Sequence, residues 1–63
     1  MKDEEAVIET CYIDIIKPIF TTFYTGMMDK KLSVADVQNL ENRFTAGIAL
    51  ARQVRDRAIK LLP

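Results

Sequence analysis

The chain has 63 residues, one cysteine, no histidine, and nine basic against nine acidic side chains. That length allows one small domain with a marginal core; an intrachain disulfide is excluded, and a structural zinc site lacks its ligands. Zero formal charge argues against a general polyanion binder, and the acidic start Met1-Lys2-Asp3-Glu4-Glu5 has the wrong character for a secretory signal.

The first helix is expected over about 3–29. Asp3, Glu4 and Glu5 fall in its first turn, where the helix dipole favours negative charge. Its apolar residues form two adjacent seams when plotted at 100° per residue. One is Ile8, Tyr12, Ile15 and Ile19; the other is Ile13, Ile16, Phe20, Phe23 and Met27. A lone helical hairpin needs one seam per helix, so two seams imply two neighbours. Pro18 removes the hydrogen bond to the Asp14 carbonyl and crowds it, at about 3 kcal/mol. Two readings follow: a kinked continuous helix, or a short helix ending near Ile16 with Pro18 opening another. The kink is preferred, because the apolar phase persists across the proline and no Gly or Asn turns the chain there. Thr21, Thr22, Thr25 and Gly26 have poor helix propensity, so tertiary packing must hold this part. The apolar run from Ile15 to Met28, broken by Lys17 and Pro18, is too short and polar for a membrane span.

The turn is expected over about 30–33. Ser33 reads as an N-cap with Asp36 in the capping-box position, and Leu32 with Val37 as a hydrophobic staple.

The second helix is expected over about 34–62. Val37, Leu40, Phe44, Gly47, Ala51, Val54, Ala58 and Leu61 follow an unbroken heptad seam, the pattern of a coiled coil, and Ile48, Leu50, Ile59 and Leu62 widen it. Gly47 in mid-helix implies close approach by another backbone or a bulky side chain, and an aromatic of the first helix such as Phe20 is a natural filler. The fold class is therefore all-α: an antiparallel helical hairpin, kinked at Pro18, one domain over 1–63, pairing into a dimeric four-helix bundle.

The charges split along the chain. Residues 1–31 carry four Lys against six acids, and residues 32–63 carry five basic residues against three acids. Antiparallel helices would bring Asp3, Glu4, Glu5 and Glu9 beside Arg55, Arg57 and Lys60. Arg55 lies inside the apolar arc and reads as an interface arginine awaiting a carboxylate on another chain. The alternative for Arg52, Arg55, Arg57 and Lys60, with Tyr24 as a stacking ring, is a contact surface for RNA or small phosphorylated ligands. Cys11 has no histidine to activate it and reads as a half-buried structural thiol. Met27 and Met28 read as closing the core at the hairpin tip around Leu32 and Val37.

No phosphate loop, metal-ligand motif or nucleophile–base set is present, so the expectation is a non-enzyme with no cofactor and no metal. The expected role is a cytoplasmic interaction module acting by helix–helix association, as a homodimer or higher homo-oligomer with a protein partner. A nucleic-acid or nucleotide ligand, or a place in a larger hetero-assembly, are the alternatives. Its expected interface is Ile13, Ile16, Phe20, Phe23, Met27, Phe44, Gly47, Ala51 and Arg55. In length and heptads the chain is similar to small antiparallel hairpins that dimerise, such as plasmid-copy-control RNA-binding hairpins and small secretion chaperones.

Overall fold

The computed structural model describes residues 2–63, with Lys2 described by its backbone alone. The described residues form two helices, α1 (Lys2–Met27) and α2 (Val34–Leu61), packed on each other as an all-helical hairpin. Its principal extents are 50 × 15 × 7 Å, a narrow two-helix plate.

The first turn of α1 carries Asp3, Glu4 and Glu5, which complement the helix dipole. Pro18 lies inside one continuous helix, so the alternative of a separate helix opening at Pro18 does not hold. Around the proline, Asp14 pairs with Lys17 at 3.6 Å and the Thr21 hydroxyl donates to the Lys17 carbonyl at 2.9 Å. After Met27 the chain closes its last turn with Met28 N–H donating to the Tyr24 carbonyl and Asp29 N–H to the Gly26 carbonyl.

Two short polar side chains then build the reversal. The Asp29 carboxylate accepts from Lys31 N–H at 2.9 Å, the local hydrogen bond that makes Asp a turn residue. Ser33 adopts extended backbone (φ −82°, ψ 170°), its hydroxyl accepts from Asp36 N–H at 3.1 Å, and the Asp36 carboxylate accepts from Ser33 N–H at 3.1 Å. Both halves of the capping box are thus made, with Asp in the place that Glu or Gln usually takes.

The helices meet along Ile8, Tyr12, Ile16, Ile19, Phe23 and Gly26 of α1 and Val37, Leu40, Phe44, Gly47, Ala51, Arg55 and Ala58 of α2, with Leu62 at the α2 C-cap. The second set departs from the expected heptad. Up to Ala51, and again at Ala58, the places are as read; beyond Ala51, Arg55 and Leu62 also turn inward and Val54 and Leu61 are 57% and 79% exposed. A straight α-helix drifts about 20° per heptad against a strict seven-residue repeat. Over three heptads that drift carries Val54 and Leu61 out of the seam. On α1, Ile15 is likewise exposed while Ile16 and Phe23 turn inward.

Candidate interaction surface

The contact between the helices is specified by close fits. A Cβ on Gly26 would stand 2.5 Å from Leu40 Cδ2, and one on Gly47 would stand 3.3 Å from Ile19 Cδ1 and Cγ2. Ile19, not Phe20, therefore fills the space over Gly47: Phe20 points away and is 54% exposed. Gly26 marks a closer approach than Gly47, and its sequence setting among threonines gave only the signal of poor propensity. Phe23 stacks obliquely on Phe44 with ring centroids 4.9 Å apart, a pairing that adds directional preference to apolar burial.

Toward the open end, Arg55 is held by its own chain. Its Nε donates to Asp56 Oδ1 at 3.0 Å and stands 3.6 Å from Glu9 Oε1. The guanidinium carbon lies 4.4 Å from the centroid of the Tyr12 ring, within cation–π range. The hydrogen bond to Asp56, with the fields of Asp56 and Glu9, holds the guanidinium pKa above its usual value against the opposing effect of desolvation. The carboxylates it meets are thus intramolecular. Glu9–Arg55 is an ion pair that joins the two helices, so the acidic-to-basic closure expected from the charge split is realised between these two residues. Cys11 is exposed rather than half-buried.

The residues expected at an interface divide in two. Phe23, Phe44, Gly47, Ala51 and Arg55 lie in the seam between α1 and α2. Ile13, Phe20 and Met27 lie on an open stripe of α1, joined by Tyr24, with exposures of 54%, 54%, 40% and 57% for Ile13, Phe20, Met27 and Tyr24. Ile16 borders both. The Phe20 and Tyr24 rings lie 6.1 Å apart and keep each other in contact along the stripe. Met27 and Met28 do not close the hairpin tip; both are exposed.

A second apolar surface lies on the opposite face of the plate. It is a groove of about 460 Å³ between the helices, with Cys11, Ile15, Leu50 and Val54 among its lining residues and Tyr12 and Arg55 at one part of it.

The residues considered for anion contact are not gathered. Arg52, Arg57 and Lys60 are exposed and, at 100° per residue, spread over about 140° of the α2 circumference, with Arg55 turned inward. Tyr24 lies near the turn, level with the α2 residues just past Leu40, so about 15 Å separates it from Arg52 along the axis. Among the described residues, no cluster of three His, Cys, Asp or Glu is placed to hold a metal, and no helix is long and apolar enough to cross a membrane. No protein-family model matches the chain, and neither curated proteins nor solved structures give a significant match.

Proposed function

We propose that the chain is a non-enzymatic interaction module that works by helix–helix self-association, pairing hairpins into a dimeric four-helix bundle in a reducing compartment such as the cytoplasm. The observation that carries this reading is the poverty of the core. Among the described residues Ala51 alone is buried, at 8% exposure, while large apolar side chains stand open on both faces of the plate. A neutral chain brings no net repulsion to pairing with itself. The exposed Cys11 thiol fits a compartment that keeps thiols reduced.

Sedimentation equilibrium tests the reading. A mass of twice 7.2 kDa at micromolar concentration is expected. A mass of 7.2 kDa that does not change with concentration overturns it. An RNA or phosphate ligand would need cations gathered on one surface, and the spread of Arg52, Arg57 and Lys60 does not favour it.

A further inference from the structure

The α1 stripe has a symmetry that the opposite groove lacks. Ile13, Ile16, Phe20, Tyr24 and Met27 follow one another at steps of three, four, four and three. Read backwards, the steps are the same, and Phe20 is the midpoint. An antiparallel copy of α1 laid on the stripe sets Phe20 against Phe20, Ile16 against Tyr24, and Ile13 against Met27. Such reciprocity is the requirement of a two-fold interface, in which each patch meets itself. The groove face fails this test on α1. Val7, Cys11 and Ile15 are apolar, but Thr22, Thr25 and Asp29 continue the same row, so reversal sets apolar against polar.

The second helix supplies an independent sign of the same axis. Gly26 lies over Leu40, Phe23 over Phe44 and Ile19 over Gly47, so Phe20 is level with Ala46 and Gly47. A two-fold axis at that level sets Glu41 of one copy against Arg52 of the other. Both residues are exposed, lie on the stripe side of α2, and make no ion pair within the chain among the described residues.

The area agrees. A compact protein of this mass exposes about 4,100 Å², whereas this chain exposes 5279 Å². Its radius of gyration of 15.0 Å also exceeds the roughly 11 Å of a compact chain this long. The excess, about 1,200 Å² per chain, is more than the ~800 Å² that each partner buries in a stable interface of standard size.

We propose that a second copy of the chain docks on this stripe, α1 against α1 antiparallel about a two-fold axis at Phe20, with Glu41 and Arg52 paired across the α2 helices. The proposal rests on the self-association reading and names its face and register. Neighbouring helices are then antiparallel throughout, as in an up-down four-helix bundle.

Two experiments test it. In a Cys11→Ser background, Phe20→Cys should oxidise to a covalent dimer, because a residue on the axis meets its own copy within disulfide reach; Cys11→Ser with Val54→Cys, on the groove face, should not. Separately, in the otherwise native chain, Glu41→Arg or Arg52→Glu should raise the dimer dissociation constant about tenfold by facing like charges, and the double exchange should restore it. A dimeric mass with cross-linking at Val54→Cys in place of Phe20→Cys, or charge exchanges that leave the constant unmoved, overturns the stripe while self-association stands. A wild-type mass that stays monomeric removes both.

Discussion

The two apolar rows of α1 are built from the same residue types and meet different fates. The inward row, Ile8, Tyr12, Ile16, Ile19 and Phe23, is fitted to α2 by features that name the partner: Leu40 over Gly26, Ile19 over Gly47, the Phe23–Phe44 rings, and Arg55 set between Glu9 and Tyr12. The outward row, Ile13, Phe20, Tyr24 and Met27, is as apolar and stands open. Apolar spacing therefore announces that a face is to be covered. Only close fits and opposed charges say by what, and for the outward row those we propose are the reversal symmetry about Phe20 and the Glu41–Arg52 register.

Substitutions can separate the rows, with protein concentration held fixed because association adds to apparent stability. The largest effect is expected at Phe44→Ala, which removes one ring of the Phe23–Phe44 pair and should cost about 3 kcal/mol in chemical denaturation. Phe20→Ala should weaken association and leave the Phe23–Phe44 seam unaltered in the dimer that still forms; equal losses at the two positions would erase the distinction between the rows. Gly47→Leu should cost about 2 kcal/mol, because its side chain enters space that Ile19 occupies. An unchanged midpoint would mean that the helices do not approach there. Ser33→Ala should cost about 1 kcal/mol through loss of the cap to Asp36 N–H, and an unaltered melt would place the helix start elsewhere. Arg55→Met should cost least, since Glu9 and Asp56 are solvent-exposed and water screens such pairs. A large loss would show that the ring contact with Tyr12 carries more than the charges do.

The hairpin itself was legible because its signals are local. Ser33 and Asp36 are three residues apart and complete their box without help from the rest of the chain. Helical spacing on both sides of the turn identified the two helices and most of their inward faces. What was less legible depends on how two helices are phased in space. Drift of a straight helix against a strict heptad moved Val54 and Leu61 outward. The same phasing gave Gly47 to Ile19 rather than Phe20 and brought Gly26 against Leu40. Asp29 organises the turn through a hydrogen bond to Lys31 that its sequence type permits but does not demand. At the candidate surface, spacing groups Ile13, Phe20 and Met27 with the seam residues Phe23, Phe44, Gly47 and Ala51, because it does not say which neighbour each row meets.

The concentration dependence of the melting temperature tests most directly whether a second copy completes this core. A folded dimer that unfolds to separate chains is stabilised by mass action. Over about a hundredfold rise in protein concentration the melting temperature should increase by roughly 10 °C. A melting temperature that stays constant across that range would contradict the account, since the hairpin would then be stable with its outward row in water.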